Sequence, residues 1–375
     1  MSSSLAAATT VSAAAPSAAT IPAGGAPPAG AGLRVRLARR TARLFDCLGL
    51  DWFATGVRAC GDENRLWHLR RLMASMGLAL LGIAIALLLW EGAARTLKVG
   101  TLSLPGPSMV AERLSEQWRD WRAQSIKQRE HAAEVEKLAI DNKITIAEAL
   151  AFMPFERKTL FVDQLWLSVK TVLAGVGVAI LIGVTAGVVL GLSGPLYAMA
   201  NPVIQVLKPV SPLAWFPIVY LCVNAAMPGT DHALPKNSVI AALVVSLCAL
   251  WPTLLNTVIG VANVEKDYLN VARVLRLGFI AKIWRIVLPA SIPYIFTGVR
   301  ISFGVGWMVL IASEMMAVSQ GMGMFIWNWY QSSNDVALSY FLMALIVIGA
   351  IGFLIDRLMV GVQRAVSHGG SAAIR

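Results

Sequence analysis

Charged side chains are scarce in this chain, 14% of its 375 residues against 57% apolar, and its mean hydropathy is +0.66. A soluble domain carries about 25% charged residues, so an ordinary soluble globular protein is excluded in favour of a membrane protein. Cysteine is equally thin: Cys47, Cys60, Cys222 and Cys248 form no C-x-x-C pair. That argues against a disulfide framework and a zinc site, and no metal or cofactor is expected. The histidines, His68, His131, His232 and His368, lie in loops or tails, and no paired carboxylates share a face of an apolar run. Catalytic residues are therefore expected to be none, and an enzyme lacks the convergent groups it needs. No G-x-x-x-x-G-K-[ST] sequence occurs and no Lys follows a Gly, so the chain carries no phosphate loop for ATP. The net charge of +11 brings nucleic acid to mind, but nine Lys and Arg precede the first apolar run and others cluster between runs. That placement fits membrane lipid at a bilayer surface, and no nucleic-acid partner is expected.

What is present is a succession of apolar runs. Residues 1–32 are mostly Ala, Ser, Thr, Pro and Gly and predict a disordered tail, followed by a basic cytoplasmic region over 33–71 with Arg34, Arg36, Arg39, Arg40 and Arg43. The basic residues come after the tail, which is not the order of a signal peptide. Leu72–Trp90 is free of charge and forms the first expected span (72–90). Further runs at Thr171–Leu192, Val203–Val223, Ser238–Gly260, Gly298–Val318 and Ala337–Ile355 bring the total to six, each near the ~20 residues that cross a ~30 Å hydrocarbon core. The fold class expected is an all-α polytopic membrane bundle with six transmembrane helices and both termini cytoplasmic. Loop 261–293 carries Lys266, Arg273, Arg276, Lys282 and Arg285, whereas 319–336 carries no Lys or Arg, which puts the former on the cytoplasmic side. Residues 91–160 then form a periplasmic segment. Within it Pro105 and Pro107 break the chain and Ser108–Ile140 reads as a charged helix, a solvated face or a docking surface for a solute-binding protein.

Residues 161–365 form a five-helix core, with 366–375 as a cytoplasmic tail. Between its spans, Leu269, Ala272 and Leu275, then Phe279, Ile280, Ile283, Ile286 and Val287, recur at helical spacing. This predicts two short amphipathic helices, with Gly278 taking a positive φ at the turn and Pro289 stopping the second. By composition such helices suit either a membrane surface or a groove in a partner protein.

The same stretch resembles the EAA loop of ABC importer permeases, Glu-Ala-Ala, three residues, Gly, nine residues, Ile-x-Leu-Pro. Ile286, Leu288 and Pro289 fall on its end, Asn270, Val271 and Ala272 on Glu-Ala-Ala, and Arg276 on the Gly. Asn270 and Arg276 depart from the pattern, and any ion pair made by the usual Glu must be made differently. Residues 270–277, 288–301 and 207–218 resemble the nitrate permease group of the nitrate, sulfonate and taurine importer family, over about residues 160–365. The resemblance implies the MetI-like type I importer fold and alternating access, driven by separate ABC ATPase subunits that seat the loop. Tyr268, Asn270, Val271, Ala272, Arg273, Arg276, Gly278, Ile286, Leu288 and Pro289 would make up this ATPase coupling element. The implied partners are those ATPase subunits, a periplasmic or lipid-anchored solute-binding protein and a second copy of the permease. The implied cargo is nitrate or nitrite across the bacterial inner membrane; sulfonate, taurine, cyanate and bicarbonate are the alternatives, and a scaffold is the competing class.

Ionisable residues inside spans point to a pathway or a partner. Lys208 stands among Pro202, Pro209, Pro212 and Pro217 and either attracts an anion or snorkels to the interface. Glu314 is expected to pair with Arg300, to cap a gate or to line the path. With Pro212 and Trp215 these complete the solute-pathway candidates, although Trp215, Trp251 and Trp307 also fit packing. Gly175, Gly183, Gly187 and Gly191 form a small-xxx-small face suited to close helix packing.

Overall fold

The computed structural model describes residues 65–372 apart from 97, 100–101, 143, 155–158, 230–234 and 333. The tail over 1–32 and the basic region up to residue 64 lie outside these residues. Helix α1 (Arg65–Thr96) contains the whole 72–90 run, and Leu80, Leu81, Leu88 and Leu89 are exposed along it. A two-stranded ladder follows, β1 (Lys98–Val99) antiparallel to β2 (Leu102–Ser103). Then come the charged helix α2 (Pro107–Asn142) and the short α3 (Ile146–Phe152). Thr145 starts α3 with a capping box: its hydroxyl accepts from the Glu148 N–H while the Glu148 carboxylate accepts from the Thr145 N–H at 2.9 Å. The Thr145 N–H, and then the Thr145 hydroxyl at 2.8 Å, donate to the Glu148 carboxylate and hold it below its ordinary value.

The core is built on α4 (Phe161–Leu192), α7 (Lys236–Ala262) and α10 (Leu288–Ala317), with α7 gripped between the other two. Small residues allow the grip. A Cβ on Gly187 would stand 2.6 Å from Thr257 Cβ and 2.9 Å from the Leu254 carbonyl, and one on Gly298 would stand 2.9 Å from the Pro252 carbonyl. The expected glycine face of α4 is thus its contact with α7. Hydroxyls bridge the helices where apolar groups provide no directionality: Thr253 and Ser302 share a 2.8 Å hydrogen bond, and Ser302 donates to the Ala249 carbonyl at 2.6 Å. Trp251 and Trp307 are packed inside, the latter donating to the Ile348 carbonyl at 3.1 Å.

Helix α12 (Asp335–Ala372) runs antiparallel to α10, as Trp307–Ile348, Arg300–Asp356 and Thr297–Gln363 pair in reversed order. Between them lies α11 (Met322–Ser332). Because α12 continues to Ala372, the tail expected from 366 begins as helix.

Two expected elements differ. The run over 203–223 is not one helix: α5 (Gly194–Leu207) and α6 (Pro212–Ala226) meet at 102°. Pro209 and Pro212 lack the N–H donors a continuous helix needs, and Ser211 restarts the chain by accepting from the Leu213 N–H at 3.3 Å. Among the described residues four helices are long and apolar enough to span, 161–192, 236–262, 279–317 and 335–364, with the bent pair as a fifth. Pro289, in turn, does not end a helix. Helix α9 (Phe279–Lys282) passes through a π turn (Ile283–Val287) straight into α10. The wider turn lets the Leu288 N–H bond to the Ile283 carbonyl, which removes the clash that Pro289 would make in a regular helix.

Candidate functional site

Between α7 and α9 the chain leaves the bundle for one short helix, α8 (Lys266–Val274), which packs chiefly on the π turn. Asp267 lies in its first turn and Arg273 in its last, each favourable to the helix dipole. Ala272 is the buried anchor. Leu269 is half-buried beside it, while Tyr268, Asn270, Val271 and Arg273 are exposed and Val274 is at 81%.

The helix ends in a Schellman turn. The Leu277 N–H bonds to the Ala272 carbonyl and the Arg276 N–H to the Arg273 carbonyl, each at 3.0 Å, and Arg276 holds a left-handed φ of 48°. Position 276 is the one that falls on the Gly of the EAA pattern, and the geometry explains why glycine belongs there. The expectation for Gly278 was misplaced by two residues: it sits at φ −62° as the N-cap of α9, and Arg276 carries the strain. Asn270, in the place of the usual Glu, accepts from Arg273 Nη1 at 3.4 Å. Ile286 is half-buried in the π turn, and Leu288 and Pro289 open α10. The fold also brings Lys282 to this group, which spacing did not single out. Ala272, Arg273, Arg276, Leu277 and Lys282 line a cleft of about 380 Å³.

The α5–α6 break is separate. Ile204 near the end of α5 packs with Trp251, Leu254 and Val258, partway along α7, while Val219 and Val223 of α6 join the cluster around Val244 and Leu310. Lys208 is the exposed C-cap of α5, Pro212 opens α6, and Trp215 is half-buried with its Nε1 donor unpaired among the described residues. The expected Glu314–Arg300 pair is not formed. Arg300 binds Asp356 at 2.8 and 3.3 Å, and Arg357 adds to that carboxylate at 2.9 Å. Fourteen residues of helix, roughly 21 Å, separate Arg300 from Glu314. Glu314 is 0% exposed and accepts from the Ser168 hydroxyl at 2.8 Å and the Gly323 N–H at 3.0 Å. It therefore ties α10, α11 and α4 together.

At the end of the bundle away from α8, Ser103 donates to Asp335 through its N–H and hydroxyl, at 2.9 and 3.0 Å. Beside it Arg113 of α2 pairs with Glu116 at 2.8 Å and Tyr340 donates to Glu116 at 3.1 Å. These contacts fix the root of α2 on α12. The hydrogen bond from Arg113, then that from Tyr340, hold the Glu116 carboxyl below its ordinary value against some desolvation.

Four long apolar helices among the described residues, a fifth bent at its prolines and a basic stretch outside one end are the architecture of a multi-pass membrane protein. Residues 179–368 match the family described as binding-protein-dependent transport system inner membrane component, and the chain belongs to that family. It is similar to the bicarbonate transport system permease protein CmpB of Synechococcus elongatus, 40% identical over 198 residues, 52% of this chain and 66% of that protein. The nitrate import permease protein NrtB of a Synechocystis strain is 37% identical over 194 residues, again 52% and 66%. The taurine transport system permease protein TauC of Escherichia coli is 26% identical over 315 residues, 82% of this chain and 97% of that protein. The chain thus spans just under two thirds of the cyanobacterial relatives' length. These relatives are named as permeases and not as enzymes, and the family and the apolar helices make this a multi-pass inner-membrane protein.

Proposed function

We propose that this chain is the permease subunit of an ABC importer for a small planar oxyanion, nitrate or nitrite in the first instance, working as a homodimer by alternating access. ATP hydrolysis falls to separate ATPase subunits. The observation that carries this reading is α8: a short helix outside the bundle, in the register of the EAA pattern, with its apolar and basic side chains turned away from the rest of the chain. Tyr268, Asn270, Val271, Arg273, Arg276 and Gly278 make the ATPase contact around the buried Ala272 anchor, and Ile286, Leu288 and Pro289 pass its movement directly into α10. The continuous helix through the π turn favours such transmission, since a rigid rod moves as a unit. The basic α8 end then lies in the cytoplasm with both termini, and the α2–α3 hairpin stands on the periplasmic side, where a solute-binding protein docks.

Broken helices buried in a bundle are where transporters hold solute, because freed backbone groups are tolerated next to water. Lys208, Pro212 and Trp215 at the α5–α6 break are the solute contacts in this reading. Ile204, one turn before Lys208, packs with Trp251 and Leu254 partway along α7, which favours anion attraction over snorkelling for Lys208. Bicarbonate is the second reading, favoured by the 40% identity to a bicarbonate permease. Vesicles holding the permease with its ATPase, supplied with binding protein, are expected to take up labelled nitrate when ATP is present. ATP-driven uptake of bicarbonate but not nitrate would move the assignment to the second reading, and uptake of neither would refute the oxyanion class.

A further inference from the structure

The acids of the α8 segment, Glu265 and Asp267, lie at its N-terminal end with Lys266 between them, whereas Arg273, Arg276 and Lys282 gather at the other end around the cleft. Arg273 is engaged only with the neutral Asn270, and neither it, Arg276 nor Lys282 forms an ion pair among the described residues. Three cations around a cleft of about 380 Å³ repel one another unless an anion enters. A guanidinium fork grips a carboxylate through two parallel hydrogen bonds, and Arg276 is held in place by the Schellman turn even though its backbone is strained there. The Schellman turn thus presents the Arg276 side chain at the mouth of the cleft from a backbone position that glycine would suit better. Val271 and Val274, exposed on the same helix, flank the cations with apolar contact area, a mixture that fits a folded protein surface.

We propose that this cleft seats carboxylate side chains of the ATPase subunit, so that the charge of the coupling contact is reversed relative to the acidic loop it resembles. The inference rests on the reading of α8 as the coupling element. Neutral Asn270 gives up the acidic role, and Arg273, Arg276 and Lys282 take over as the charged side of the interface.

The test uses the full-length permease in nanodiscs and its ATPase subunit, with binding measured across a salt series. R273E/R276E/K282E is expected to weaken binding on the order of 100-fold at low salt and to abolish its weakening by added salt, because attraction to the carboxylates becomes repulsion. R276G removes one cation while relieving the turn, so its roughly 10-fold weaker binding cannot come from misfolding. R119E/K127E, on α2 at the far end, serves as the unaffected control. If the wild type binds ATPase and the triple variant binds equally well with the same salt dependence, the inference is overturned while the coupling reading stands. Binding that requires phosphatidylglycerol and vanishes in phosphatidylcholine discs would assign the cleft to lipid headgroups and likewise overturn it. If the wild type binds no ATPase under any condition, the coupling reading itself fails and the inference falls with it.

Discussion

Glu314 and Arg276 each sit in surroundings that their residue types do not prefer. A carboxylate with no exposure survives in a spanning helix because Ser168 and Gly323 supply donors to it, and because glycines at 321 and 323 let the α11 backbone come close. Replacing Glu314 by Ala leaves the Gly323 N–H without its acceptor and opens a cavity. A loss of about 3 kcal/mol is expected, read as a lowered unfolding midpoint in detergent. Ser168→Ala should follow in the same direction by about 1 kcal/mol. Unchanged midpoints for both would mean that the network contributes nothing. The spacing of the sequence marks Glu314 as unusual but not Ser168, because a serine in an apolar run is ordinary until its partner, 146 residues away, is known.

Among the elements, the α4–α7 contact and the root of α2 respond to different variables. Gly187 lies where α4 touches Thr257 and Leu254, so Gly187→Leu is expected to force the helices apart and cost about 1–3 kcal/mol, with smaller loss for Gly187→Ala. Equal stability of both variants and wild type would show that the helices are not closely packed. The root of α2 is instead set by charge. Glu116 has a folded-state value below that of the unfolded chain, so its contact with Arg113 and Tyr340 contributes above the ordinary Glu value of about 4.3. That contribution is lost as pH falls through the lowered value. Protection factors for hydrogen exchange over residues 107–120 should therefore fall below about pH 4 in the wild type but show no such step in Glu116→Gln. The charged helix itself was legible from composition and its breaking prolines; its anchorage on α12 joins residues more than 200 positions apart and was not.

For the whole molecule, the proposal separates an outer face carrying the α2–α3 hairpin from an inner face carrying α8, with solute held between them at the α5–α6 break. Replacing Asn270, Val271, Ala272 and Arg273 by Gly and Ser should abolish ATPase association and solute uptake while leaving the bundle assembled, because α8 packs chiefly on the π turn and not on the core. Pull-down of the ATPase together with a size-exclusion profile checks this, and retained association would count against α8 as the coupling element. The apolar runs over 171–192, 238–260, 298–318 and 337–355 and the basic stretch that follows α7 could be read from the chain, since hydropathy and positive charge act locally.

The amino-acid sequence by itself determined that this protein crosses a membrane and that its helices pack through small residues. It also determined that it lacks a phosphate loop, because each of these follows from composition or short-range spacing. Only the tertiary structure decided that the third run is bent by 102°, that Pro289 is absorbed by a π turn and that Arg276, rather than Gly278, takes the left-handed position. It alone decided that Arg300 belongs to Asp356 and Glu314 to Ser168, and that Lys282 joins Arg273 and Arg276 around one cleft. The physical reason is the same in each case. Which backbone donors go unpaired, and which charges meet, depends on the neighbours that folding brings in from distant parts of the chain.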